Sequence, residues 1–239
     1  MRILFFVSFI PFFSFGQLSP KVDKLYQQLS KSERAEGKNI SMDGHESELY
    51  KLHLELGKIA TDKEAEYIAF NGKPVAKYYA ANILFDRKSE SLEKLFKYYL
   101  RNRDSVRVLE GCISGVSGLG DEIYLNVISE KQIIDQAEWE KKWKDSMIAN
   151  KKQNTPEYLN LVDMLDTETN WTHKEIDSLV YKFDQTILDN QESSQSIVEL
   201  IAGFNEYEKI KLPYYQKLIY FEKKYNSKVI RKYIEYCSN

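Results

Sequence analysis

Apolar residues recur at helical spacing along nearly all of this chain, and that periodicity narrows the folds open to it more than any other feature. Leu49, Leu52, Leu56 and Ile59 fall at i, i+3, i+7 and i+10, one face of an α-helix. The same stripe returns in Leu92, Leu95, Phe96, Tyr99 and Leu100, in Tyr158, Leu161, Val162 and Leu165, and in Ile176, Leu179, Val180, Phe183 and Ile187. Ile197, Leu200, Ile201 and Phe204, then Ile230, Tyr233, Ile234 and Cys237, complete the series. Start signals coincide with the stripes. Thr61 with Glu64, Thr172 with Glu175 and Ser196 with Glu199 have capping-box spacing, and Thr155 precedes a proline suited to a first helical turn. No stretch alternates clearly with period two, so the pattern predicts an all-α protein without strands.

Residues 1–16 read differently. Arg2 precedes an apolar run from Ile3 to Phe13, and Ser14 and Gly16 put small residues at the positions a signal peptidase reads before Gln17. The run is shorter than the ~20 residues a membrane-spanning helix needs, and Pro11 interrupts it. A cleaved signal peptide of bacterial type is expected, which makes the mature chain periplasmic or secreted. No later segment is apolar for long enough to form a transmembrane helix. No Cys follows the cut, so lipoprotein anchoring is not expected.

The order of segments follows from composition. Residues 17–44 are read as an N-terminal helix followed by a flexible linker, since Lys31 to Gly44 is rich in Ser, Glu, Gly and Asn and poor in apolar residues. Residues 45–129 carry helical repeats. Residues 130–239 form a further helical region, begun by a charged helix with Trp139, Trp143 and Met147 along one seam, and either continue the stack or make a small bundle.

Within 62–129, a shift of 31 positions places Val75 on Val106, Ala80 on Gly111, Ala81 on Cys112, Leu92 on Ile123 and Phe96 on Val127. Helix pairs that recur in this way bury their apolar sides against one another. The run Asp104, Val106, Arg107, Gly111, with Val75, Ala80, Ala81 and Leu84 in the unit before it, resembles the HEAT-like family in its phycobilin lyase-type short-repeat form. The first unit departs from the family pattern, with Asn71 and Ala76 where Asp and Arg stand in the second. The resemblance covers about a third of the mature chain. It implies stacked antiparallel helix pairs, a HEAT-like α-solenoid, that bind other macromolecules rather than catalyse.

Motifs for chemistry are missing where they would be expected. Gly111, Gly115, Gly118 and Gly120 cluster, but a phosphate loop needs a Lys and Ser or Thr after the last glycine, and Asp121 follows instead. Close helix packing at Gly111 and Gly115, with a turn from Gly118 to Asp121, is the expected use. His45, His53 and His173 are the only histidines, and none stands at metal-ligand spacing from another; cap or surface positions are expected for them. No cofactor or metal is expected. Trp139, Trp143 and Trp171 fit helix packing better than an exposed ligand platform. Cys112 and Cys237 are expected on apolar helix faces, as two buried thiols or as one bridge.

One region stands apart by charge. Without the leader the chain carries 33 basic side chains against 36 acidic ones, a net charge of minus three, because Arg2 is the leader's only charge. From Tyr207 onward, eight basic residues face three acidic ones among seven tyrosines. Lys223, Lys224, Arg231 and Lys232, with Tyr225 and Tyr233, are therefore the candidate partner-binding residues. Export and the near-neutral whole argue against nucleic acid; a protein or cell-surface component is the expected partner. The function expected is a non-catalytic exported scaffold. The competing class is an extracytoplasmic hydrolase, whose mark would be a deep pocket with convergent titratable groups.

Overall fold

The computed structural model describes residues 18–165 and 167–239, so the expected signal peptide lies outside the described residues. Most of the periodic stripes become helices: α1 (Pro20–Leu29), α2 (Glu48–Ile59), α3 (Asp62–Asn71), α4 (Pro74–Asp86), α5 (Leu92–Asn102), α6 (Leu119–Ala149), α7 (Pro156–Leu161), α8 (His173–Leu188), α9 (Gln195–Tyr207), α10 (Leu218–Tyr225) and α11 (Lys228–Ser238). The stripe from Tyr158 to Leu165 is realised only in part, since α7 ends at Leu161 and buries none of its residues. Local chemistry sets their starts. Thr61 and Thr172 each accept from the backbone N–H three residues on while Glu64 and Glu175 reach back, as the spacing predicts. Ser194 rather than Ser196 caps α9; Ser196 lies inside the helix and donates to Asp121 Oδ2 at 2.6 Å. No helix among the described residues is long and apolar enough to cross a membrane.

The protein is mostly helical but not all-α. Four strands, β1 (Ala35–Ile40), β2 (His45–Glu46), β3 (Ser105–Gly111) and β4 (Ile113–Gly118), form one mixed sheet in the order β2-β1-β3-β4. β1 runs parallel to β3, and the other two pairings are antiparallel. This corrects two expectations. The segment from Asp104 to Cys112, expected as a repeat helix, is β3: Val106 and Val108 are buried while Ser105 and Arg107 face out, a period-two pattern too short to stand out beside the helical stripes. Lys31 to Gly44, expected as a linker, contains β1. Its polar composition hides a strand whose Ala35, Glu36 and Gly37 are buried by contacts from distant residues.

The glycines and cysteines change roles with the strands. Glu110 pairs with Ile113 across a two-residue hairpin loop, and Gly111 adopts φ 56° there, a left-handed conformation that suits glycine at the first loop position. Gly115 lies in β4 and so does not make the expected helix contact, and Gly118, expected to begin a turn reaching Asp121, ends β4 and is the cap residue from which α6 starts at Leu119. Cys112 is exposed at the hairpin tip, Cys237 is buried on α11, and both are free thiols.

One hydrophobic cluster unites the helices. Phe96 of α5 stacks on Phe183 of α8 with ring centroids 3.9 Å apart, so the C-terminal region shares the core of the preceding one. At its centre sits a buried acid. Asp184 on α8 is fully buried and accepts from the hydroxyls of Tyr124 (2.7 Å) and Tyr214 (2.6 Å). Burial raises its carboxyl to about 6, with the two hydroxyl bonds opposing that rise.

The sign of the consequence is set by this order. Well below pH 4 the acid is protonated in both states; as pH climbs past 4 the unfolded chain ionises first, and by pH 7 the fold has lost about 3 kcal/mol of stability. Asp184→Asn should remove that loss. Urea unfolding at about pH 4 and pH 7 should show the wild type losing about 2 kcal/mol more than the variant over the interval; parallel profiles would contradict a strained buried carboxyl.

Candidate functional site

The parallel pairing of β1 and β3 leaves a gap that opens into a polar cleft. Opposite β3 the register of β1 shifts between Glu36 and Ile40, so residues 37–39 bulge away from the ladder. A side chain closes part of this defect. The Tyr79 hydroxyl on α4 accepts from the Glu36 backbone N–H at 2.8 Å and donates to the Glu36 carbonyl at 2.9 Å, replacing the neighbouring strand that Glu36 lacks on that side. Burial raises the Tyr79 hydroxyl well above its usual range, which keeps it protonated for this double role.

Around the bulge, Glu36, Gly37 and Lys38 of β1, Tyr50 and His53 of α2, Tyr78, Tyr79, Asn82, Phe85 and Asp86 of α4, Glu110 of β3, and Asn126, Ser129, Glu130 and Ile133 of α6 enclose a cleft of about 360 Å³. The Glu110 carboxylate lies against the Gly37 backbone: a Cβ at this position would lie 2.0 Å from Glu110 Oε2, so a side chain there would displace the flexible end of Glu110. Asn126 donates to Asn82 Oδ1 at 2.8 Å and joins α6 to α4 across the cleft wall.

The electrostatics are uneven. Glu36 is satisfied, since Arg34 donates to Oε1 at 2.9 Å and the buried Ser47 hydroxyl donates to Oε2 at 2.7 Å. Glu130 accepts from the Thr169 hydroxyl. Asp86 and Glu110 make no ion pair among the described residues. The protein around the Asp86 carboxyl, with the Glu130 charge beside it, raises it to about 6, and partial burial also raises Glu110. His53, expected at the surface, is only 6% exposed, stacked on Tyr79 with centroids 4.9 Å apart and edge-on to Tyr50. Burial lowers its ring to about 4, so it is neutral at neutral pH, and its Nδ1 has no hydrogen-bond partner.

The six residues proposed from the basic C-terminal region do not make one free patch. Tyr233 is buried, where its hydroxyl donates to the Ile210 carbonyl at 2.9 Å and accepts from Leu212 N–H at 3.0 Å. Arg231 is paired with Glu222 (2.6 Å) and Lys232 with Glu206 (3.3 Å). Lys224 donates to the Gln191 carbonyl at 2.5 Å, and Tyr225 donates to the Ser193 carbonyl. Lys223 on α10 makes no ion pair among the described residues. Intramolecular acids thus neutralise much of the charge that composition concentrated there. The tryptophans pack largely as expected: Trp171 stacks on Phe85 and Trp143 on Tyr158, while Trp139 is half exposed. His45 pairs with Asp43 at 2.8 Å, and His173 opens α8 near Asp135 and Glu138.

The cleft residues escaped sequence reasoning because they come from five separate elements. One trace was legible: α4 is buried almost all round, so Asn82 is a polar intrusion in an apolar helix. No family model matches the chain, and no curated protein and no solved structure matches it either. Among the described residues, no three of His, Cys, Asp and Glu gather to hold a metal ion.

Tyr79→Phe keeps the ring and removes the hydroxyl, leaving the buried N–H and carbonyl of Glu36 without that partner. Chemical denaturation should show a loss of about 2–3 kcal/mol. An unchanged midpoint would mean that water or another group replaces the hydroxyl and that β1 does not depend on it.

Proposed function

We propose that the protein is an exported binding protein that recognises its ligand in the cleft between the β1 bulge and helices α2, α4 and α6. The observation that carries this is the convergence of polar groups from five elements on a cleft of small-molecule size, where most other polar side chains pair with one another at the surface. Aromatic walls from Tyr50, Tyr78 and Phe85 supply contact area, and the carboxylates and the Asn82 and Asn126 amides supply orientation. Export rests on residues 1–16. The HEAT-like affinity rests on α4, where Val75, Ala80, Ala81 and Leu84 are buried, now that its better-matching unit is a strand.

A hydrolase is the second reading. Its specific support is the unequal pair of Asp86, whose raised carboxyl holds a proton closer to neutrality, and Glu130 alongside. Against it, no nucleophile paired to a base lies in the cleft: His53 is neutral, buried and stacked between tyrosines.

Thermal-shift titration over a panel of small polar ligands, with mass spectrometry of each incubation, separates the two. The expected outcome is a saturable rise in Tm for some ligands, lost in Asn82→Leu, with every ligand recovered intact. Conversion of a ligand, dependent on Asp86, would replace binding with catalysis.

A further inference from the structure

The same cleft has a charge that says what chemistry it lacks. Asp86, Glu110 and Glu130 face it with only Lys38 opposite, because Arg34 already neutralises Glu36. Three negative groups against one positive group leave a net of minus two. Lys38 itself is exposed at the rim and makes no ion pair among the described residues. The carboxylates are not arranged as a cage for a small ion, since no three ligating side chains gather. The remaining walls are the π-faces and edges of Tyr50, His53, Tyr78 and Phe85, which favour a diffuse cation over a point charge.

His53 contributes to the aromatic wall rather than supplying a hydrogen-bonding group: its ring stacks on Tyr79, and its Nδ1, although without a partner, is closed off by burial. Lys38 is the one basic side chain in this lining, and the acids outnumber it.

We propose that the cleft binds an organic ammonium group, drawn in by the net negative lining and met by the neighbouring carboxylates of Asp86 and Glu130, with its alkyl portion against the aromatic wall. This rests on the reading of the cleft as the ligand site and deepens it to a chemical class. The ammonium is that of a free amine or of a lysine side chain on a partner, which present the same group. The net charge of minus two further favours two ammonium groups on one short chain.

Binding should tighten with pH. The groups that face the guest are Glu36 and Lys38 of β1, Tyr50 and His53 of α2, Tyr78, Tyr79 and Asp86 of α4, Glu110 of β3 and Glu130 of α6. Of these, Asp86 and Glu110 are the acids held above their usual range, so raising the pH from about 5 to 7.5 completes their ionisation while the amine stays charged.

Calorimetric titration of the full chain at low salt and about pH 7.5 tests the class. The probes are 1,4-diaminobutane, butylammonium, tetramethylammonium, butanol, butyrate and a short lysine-containing peptide, each against wild type, Glu110→Gln and Asp86→Asn, with circular dichroism confirming each fold. The diammonium should bind with a stoichiometry of one and about tenfold more tightly than butylammonium, and each carboxamide variant should weaken it about tenfold. Tetramethylammonium, which has no N–H to donate to the carboxylates, should bind more weakly than butylammonium. Comparison of diamine with peptide tells a free amine from a partner's lysine, and tight binding of either supports the class. Neutral or anionic probes binding as well as the amines, in a cleft-dependent way, would overturn the class and leave the ligand site standing. No cleft-dependent signal from any probe would overturn both.

Discussion

Parallel pairing of β1 with β3 is the constraint from which the rest of the molecule follows. Two parallel strands cannot be joined by a tight turn, and the chain between them must travel the length of the sheet and return. Here β2 and helices α2 to α5 make that return, and they bring the most buried helix, α4, across the strands. Once α4 lies there, Tyr79 reaches β1 and holds Glu36 by both of its backbone groups. A strand of six residues with polar composition has little intrinsic reason to form; side-chain hydrogen bonds and burial from elsewhere in the chain supply it.

The cleft is a product of the same crossover. A strand in full register with β3 would fill the space that the bulge at residues 37–39 leaves open. Gly37 lets the Glu110 carboxylate lie against the backbone at that point. Because α2, α4 and α6 all pass the bulge, residues far apart in the chain line one small volume. Asp86 and Glu130 lie close enough for their charges to act on one another, and neither Asp86 nor Glu110 has an ion-pair partner among the described residues. The basic C-terminal region is the contrasting case: its cations are numerous in the sequence, yet Glu222 and Glu206 meet two of them and Tyr233 is turned inward.

Helices were legible in the sequence because their signal is local and redundant. Cap residue and capping-box Glu agreed at Thr61 and Thr172, cap residue and proline agreed at Thr155, and each of these threonines caps the helix it announces. Strands were not legible, since β1 and β3 depend on partners about seventy positions away, as in the pairing of Ala35 with Val108. The alternation of Val106, Arg107 and Val108 was present, but the 31-residue shift aligned it with a helix and masked it. Gly111 was read as a packing site for the same reason, although a left-handed turn is the more specific use of glycine. The site shares the fate of the strands: Asn82 alone hinted at it, and Glu36, Asp86, Glu110 and Glu130 are ordinary acids until the fold brings them together.

Hydrogen exchange of the backbone read by mass spectrometry distinguishes a paired β1 from a solvated tether most directly. A peptide covering residues 33–41 should show slow exchange at the amides that pair with β3 or bond to Tyr79, though less protection than 105–111, which β4 also holds along its length. Exchange of 33–41 at the rate of an unstructured peptide, with 105–111 still protected, would contradict the parallel pairing and with it the floor of the cleft.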